Sequence, residues 1–236
     1  MFERALSVDP QSVEAQTQLA NALTSRVLDG MTTSRTADLA RAEELVDKAL
    51  AMAPRYAPAR ATKGDIFRAR RQYQEAIPQY ETAFALNPNL AYPLHALGEC
   101  KLMIGSIEDV IPLEEQAIRL SPRDANIGNR YWRIGLVHLL QSRTDEAIPW
   151  LEKARAANPS LTVVHAALAS AYGIEGETER GAAELAEARR LAGEGSYSSI
   201  AKMRAGGYWA APSPKIHGLL EATYFAGLRK AGVPEE

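Results

Sequence analysis

The stretch GDIFRARRQYQEAIPQYETAFALNP, residues Gly64–Pro88, decides how this chain is read. A glycine opens it, alanines stand at Ala76 and Ala83, and a proline closes it. The same punctuation returns along the sequence. Ala83-Phe84-Ala85-Leu86-Asn87-Pro88, Ala117-Ile118-Arg119-Leu120-Ser121-Pro122 and Ala154-Arg155-Ala156-Ala157-Asn158-Pro159 end alike. Pro54, Pro88 and Pro122 are evenly spaced, and Pro159 follows three places late. Gly64, Gly98 and Gly135 keep the same steps, so three residues are inserted near Ala125–Ile127. Ala42, Ala76 and Ala147 mark the starts of second helices, with Val110 in the intervening copy. A fixed period of this size marks stacked supersecondary units, none of which buries its apolar face alone.

The wider composition agrees. Of 236 residues, 46% are apolar but only 7% are aromatic, and alanine supplies about one residue in six. Alanine is the best helix former and a poor strand former. Net charge is −2, which argues against neutralising nucleic-acid phosphate or tethering to an acidic membrane surface. The single cysteine, Cys100, excludes an intrachain disulfide and a cysteine-built zinc site. Apolar runs such as Ile134–Leu140 are far below the roughly 18 residues that span a bilayer. No basic, apolar, small-residue leader opens the sequence, so a cytoplasmic location is expected.

The copies resemble the tetratricopeptide repeat, a helix–turn–helix unit of about 34 residues. One copy carries Gly64, Phe67, Ala76, Tyr80, Ala83 and Pro88; the next Leu97, Gly98, Val110, Ala117 and Pro122. A third carries Tyr131, Ile134, Gly135, Ala147, Leu151, Ala154 and Pro159, and a fourth Leu168, Ala169, Tyr172, Leu185 and Ala188. An earlier copy has Leu19, Ala20, Leu23, Ala42, Ala49 and Pro54, with about ten extra residues placed near 29–36. The resemblance implies an all-α, right-handed superhelix whose concave face is lined by the first helix of each unit. The expected organisation is a half-repeat at 1–12, then five repeats at 13–56, 57–90, 91–127, 128–161 and 162–195, then a helical cap at 196–236. Ile77-Pro78, Ile111-Pro112 and Ile148-Pro149 recur early in second helices, where proline costs at most one backbone bond and a slight kink.

Both ends depart from the period. Met1–Pro10 reads as a second helix without its first, so the chain is expected to be a piece of a longer protein. The apolar face left by that half-repeat could join two copies as a homodimer. Past Gly195, Ser196–Ala205 reads as a short helix, Tyr208 and Trp209 lie in a loop, and Lys215–Lys230 carries a helical stripe of Ile216, Leu219, Leu220, Tyr224, Phe225 and Leu228. The closing run, Tyr224–Glu235, is similar to the C-terminus of a proteobacterial family in which tetratricopeptide repeats follow a class III adenylate/guanylate cyclase domain. That resemblance implies a non-catalytic regulatory or oligomerisation region.

Catalytic motifs are absent. No phosphate-binding loop, dinucleotide fingerprint, zinc-protease or nucleophile-elbow motif occurs. His95, His138, His165 and His217 are dispersed, and Cys100 has no base placed beside it by sequence. These read as packing residues, and Glu43-Glu44 and Glu114-Glu115 as solvated helix faces, so no metal or cofactor is expected. Repeat geometry projects Asp65, Arg68, Tyr92, His95, Glu99, Asn129, Trp132, Arg133, Leu136 and Ser170 onto the groove. Tyr, Trp and Arg are the residue types that dominate binding energy at interfaces. A chaperone-tail carboxylate clamp is not matched, since only Asn21 agrees among Thr17, Asn21, Thr62, Tyr92 and Ala96. The sequence therefore points to a scaffold that holds a peptide or protein in its groove. A cyclase-type regulatory region and a small-ligand pocket beside Tyr208 and Trp209 are the rival readings.

Overall fold

A computed structural model describes residues 2–193, 195–205, 209 and 213–236; Tyr208 lies outside them. Its regular structure is helical throughout, with no strand among the described residues. The chain divides into two units, Met1–Lys101 and Leu102–Glu236.

The first unit holds α1 (Phe2–Val8), α2 (Val13–Leu28), α3 (Arg35–Met52), α4 (Ala57–Ala69), α5 (Tyr73–Leu86) and most of α6 (Tyr92–Ile104). Pairs α2–α3 and α4–α5 pack as antiparallel hairpins, and first helices α2 and α4 also touch. Helices α2 and α3 run to 16 and 18 residues, against 13 and 14 for α4 and α5. The extra residues expected near 29–36 thus go largely into longer helices.

The second unit contains α7 (Val110–Leu120), α8 (Ile127–Leu140), α9 (Thr144–Ala157), α10 (Thr162–Glu175) and α11 (Thr178–Ala192). It ends in α12 (Ile200–Ala205), α13 (Pro214–Leu220) and α14 (Ala226–Lys230). A π-helical turn, Glu221–Phe225, joins α13 to α14, so the expected stripe runs along one continuous helical rod. The helix expected at Ser196 starts only at Ile200, after turns and a bend over 195–198.

Proline fixes the turns between pairs. The N–H groups of Ser12, Tyr56, Leu90, Asp124 and Leu161 donate to carbonyls three residues back, at Asp9, Ala53, Asn87, Ser121 and Asn158. Each turn has proline in its second place, where the ring already holds φ at about −65°. Side-chain oxygens of Asp9, Asn87 and Asn158 accept from the N–H two residues on and brace the turn. The turns within pairs have their own rhythm. Arg71, Gly105, Ser142 and Gly176 all have φ between 59° and 96°. The steps between them repeat those of the closing prolines, with the same excess of three before Ser142. Two of these left-handed positions are held by residues with a side chain.

The small repeated residues set helix separation. A Cβ on Gly64 would lie 2.7 Å from the Tyr80 ring, and one on Gly135 would lie 2.7 Å from Leu151 Cγ. Tyr80 and Leu151 therefore occupy the volume that glycine leaves on the facing helix. Ala20, Ala42, Val46, Ala49, Ala59 and Ile66 form one core cluster of the first unit. Pro78 and Pro149 sit inside continuous helices, each removing one backbone donor without ending its helix.

Candidate functional site

In the first unit, a polar cluster stands on the first-helix side. Asp65 of α4 is 3% exposed. Its carboxylate accepts from the Tyr80 hydroxyl at 2.8 Å, from Arg68 Nη2 at 3.1 Å and from the Tyr92 hydroxyl. Arg68 also donates to Glu99 at 2.8 Å and to the oxygens of Tyr80 and Tyr92. The spacing explains the meeting: Asp65 and Arg68 are one helical turn apart on α4, so both project to the same side. Burial works against the Arg68 charge, but Glu99, Tyr92, Tyr80 and Asp65 more than offset it, and the guanidinium is held well above its ordinary pKa. Burial, then the Asp65 carboxylate, pushes the Tyr80 and Tyr92 hydroxyls well above theirs. Both hydroxyls therefore stay protonated as donors at neutral pH.

The cluster borders a cavity of about 140 Å³ lined by Thr17, Gln18 and Asn21 of α2, Pro58, Ala61, Thr62 and Asp65 of α4, and Leu90, Tyr92 and Pro93. Tyr92 is 42% exposed, so its ring faces solvent while its hydroxyl is tied inward. Asn21 and Gln18 bring side-chain amides to this small recess, while the Thr17 hydroxyl donates to the Val13 carbonyl of its own helix at 2.8 Å. Of the projected groove residues, Asp65, Arg68, Tyr92 and Glu99 come together here; His95 is half-buried on α6. Asn21, Thr17 and Thr62 line the same recess, as their first-helix places imply.

The second unit differs. Its C-terminal rod, α13 to α14, packs across α8 and α10, the first helices of their pairs. It begins beside Gly105, where Ser213 N–H donates to the Met103 carbonyl at 2.9 Å and Lys215 pairs with Glu108 at 3.0 Å. It ends on α10 at a crossing of two glycines, Gly173 and Gly227, where neither could carry a side chain. Ser170 Oγ donates to the Tyr224 carbonyl at 2.8 Å. The rod therefore lies along the first-helix side instead of only closing the last pair.

This placement corrects part of the projection. Leu136 and Ser170 are buried without measurable exposure, covered in this unit by the chain's own helix. Arg133 is buried and pairs at 3.3 Å with Glu114, itself 0% exposed, so Glu114 is not part of a solvated face. Asn129 is half-buried. Trp132 is buried and borders a cavity of about 310 Å³, together with Val163, Tyr197, Lys202, Met203, Trp209 and Tyr224. Sequence reasoning missed Tyr197, Lys202 and Met203, which lie outside the repeats and carry no period.

The His165 ring bridges Glu184, at 2.6 Å, and the Pro159 carbonyl, at 2.9 Å. Cys100 is buried. Among the described residues, no three His, Cys, Asp or Glu side chains gather as a metal ion would need. No helix there is long and apolar enough to cross a membrane.

Residues 64–105 match the family model described as TPR repeat. That match covers the copy first quoted and the start of the next. The fold is the tetratricopeptide-repeat fold. Solved structures extend the likeness over most of the chain. Pseudomonas aeruginosa pilF superposes with a TM-score of 0.65 at 18% identity, covering 92% of this chain and 88% of that one. PilW, a widely conserved type IV pilus biogenesis factor, gives 0.63 at 17% identity, covering 90% and 97%. YrrB, a TPR protein with an unusual peptide-binding site, gives 0.57 at 19% identity, covering 80% and 91%. No curated protein matches the chain significantly. In tetratricopeptide terms, the recess at Tyr92 lies on the first-helix side of its unit, and the C-terminal rod covers that side in the other.

Proposed function

We propose that this chain is a non-catalytic interaction module that binds an extended peptide segment of a partner protein at the recess beside Tyr92. The observation that carries this reading is the cluster of tied donors around an uncovered recess. Asp65, Tyr80, Arg68 and Glu99 hold Tyr92 in place, so its ring is presented to a partner already oriented. Preorganisation of this kind lowers the ordering cost of binding. Asn21 and Gln18 supply hydrogen bonds to a peptide backbone, and Pro58, Ala61, Leu90 and Pro93 take a small apolar side chain. Peptide binding by the similarly folded YrrB supports the same use.

The test is selection of a random peptide library on the full chain, followed by affinity measurements. Tyr92→Ala and Asn21→Ala should each weaken the selected peptides by about tenfold or more, in line with hot-spot truncations. Glu44→Ala, on a second helix, should leave affinity unchanged. Peptides that bind both recess variants as tightly as the unaltered chain would remove the assignment.

A second reading rests on the closing run Tyr224–Glu235. Its similarity to repeat regions behind class III cyclase domains would make this chain the regulatory part of such a protein. A gene with no cyclase-type domain upstream of Met1 would eliminate it. Pairing of two copies through α1 would use Phe2, Leu6 and Val8, the last 86% exposed; a light-scattering mass of one chain at high concentration would exclude it.

A further inference from the structure

The cavity of about 310 Å³ in the second unit is separate from the Tyr92 recess and has a different chemistry. Its size falls at the low end of the roughly 300–1,000 Å³ typical of small-molecule sites. Among the described residues, four aromatic side chains line it, Trp132, Tyr197, Trp209 and Tyr224, with Val163 and Met203. The aromatic wall is fixed in place. Trp209 and Tyr224 have ring centroids 5.7 Å apart, with planes tilted by 53°. Tyr224 in turn meets Phe225 edge-on at 5.5 Å. Trp132 comes from α8, against which the C-terminal rod packs.

Among the described lining residues the polar groups are few. Lys202 is the one charged side chain among the described lining residues, and no carboxylate is among them. Lys202 lines the cavity and is exposed, so its side chain is open to solvent as well as to the cavity. Among the described residues, neither it nor the Tyr197 hydroxyl has a side-chain hydrogen bond to a protein group. Burial pushes Tyr197 up to about 12, so its hydroxyl remains a donor at neutral pH. An aromatic cavity with a cation and a donor among its lining residues suits a ligand with a flat apolar body and one negative charge. A cationic ligand would meet the aromatic faces but also the Lys202 ammonium.

We infer that this cavity binds a small apolar monocarboxylic acid, its ring or chain among Trp132, Trp209, Tyr224 and Met203 and its carboxylate facing Lys202 and Tyr197. Two of the three tryptophans of the chain line the cavity, so their emission reports occupancy directly. The experiment titrates the full chain with phenylacetate and 4-phenylbutyrate, and with phenylacetamide and benzylamine as neutral and cationic comparators. Saturable quenching is expected from the acids, with at least about tenfold weaker binding of the amide and the amine. Lys202→Gln should abolish that preference while binding the amide as before, which separates loss of charge recognition from loss of fold. Absence of saturable quenching by either acid would overturn the proposal. So would a benzylamine affinity equal to that of the acids, or an acid preference that survives Lys202→Gln. The outcome is independent of the peptide recess, whose variants lie in the other unit.

Discussion

Gly227→Ala is the sharpest probe of how the C-terminal rod is seated. An added Cβ would lie 2.8 Å from the Ser170 carbonyl carbon and closer still to its oxygen. Carbon atoms pack best at about 3.5–4.0 Å, so α14 must withdraw from α10 by roughly 1 Å. Ser170 Oγ also stands close to the added carbon, but the carbonyl is backbone, so rotating the serine side chain does not relieve the contact. Overpacking of this kind costs about 1–3 kcal/mol. Withdrawal also loosens the hydrogen bond from Ser170 to the Tyr224 carbonyl, worth about 1 kcal/mol. Alanine returns up to about 1 kcal/mol in helix propensity. The net expectation is destabilisation by about 1–3 kcal/mol. Gly218→Ala is the internal control. It lies in the same rod, but nothing stands within 4 Å of its added Cβ, so it should be neutral or stabilise by up to about 1 kcal/mol. Urea unfolding followed by far-ultraviolet circular dichroism reads both. If Gly227→Ala unfolds at the same urea concentration as Gly218→Ala, the close crossing is wrong.

Other outcomes follow from the same geometry. Tyr80→Phe removes a hydroxyl that donates to buried Asp65 and accepts from Arg68, so stability should fall by about 1–3 kcal/mol in thermal or urea melts; a change below about 0.5 kcal/mol would contradict the network. Ser142→Gly relieves a left-handed backbone position, φ 59°, and should raise stability by up to about 1 kcal/mol, whereas the same change at Ser160 should not. Arg229 and Arg204 hold the Glu235 carboxyl down at about 2, from an ordinary 4.5. Because the folded value is depressed, this contribution is present above pH 4.5 and is lost as pH falls towards 2. The urea midpoint of the unaltered chain should therefore exceed that of Glu235→Gln at pH 6, and the two should converge near pH 2; a gap that persists there would refute the clamp.

Much of this was legible because repeat residues act locally. The prolines at 54, 88, 122 and 159 each build their own turn, and Gly64 and Gly135 face partners set by the same period. That Asp65, Arg68 and Tyr92 share one side was legible for the same reason, since they sit on first helices whose faces the period fixes; the recess beside them was not. The left-handed turns at Arg71 and Ser142 were hidden, since neither residue is the glycine that marks the position at 105 and 176. The Arg133–Glu114 pair was hidden because its partners lie on different helices and each alone looks like a surface charge. The rod that covers Leu136 and Ser170 obeys no period. Its place is set by contacts such as Gly173 with Gly227, which join segments more than fifty residues apart and leave no spacing to read.

The seating of that rod bears on which side of the molecule a partner can use. Ile216, Leu220, Tyr224, Phe225 and Leu228 are all buried by it. At about 1.5–3 kcal/mol each, uncovering them costs on the order of 10 kcal/mol, an upper estimate because the unfolded rod keeps some contacts. A peptide that binds with micromolar affinity gains only about 8 kcal/mol. Most or all of that ligand's binding energy would be spent on displacing the rod, whereas it meets no such cost at Tyr92. A synthetic peptide of residues 213–236, added in trans at about 100 µM, should therefore show no binding to the full chain by fluorescence anisotropy. Measurable binding would mean that the rod exchanges on and off α8 and α10, and that the first-helix side of the second unit is open to partners after all.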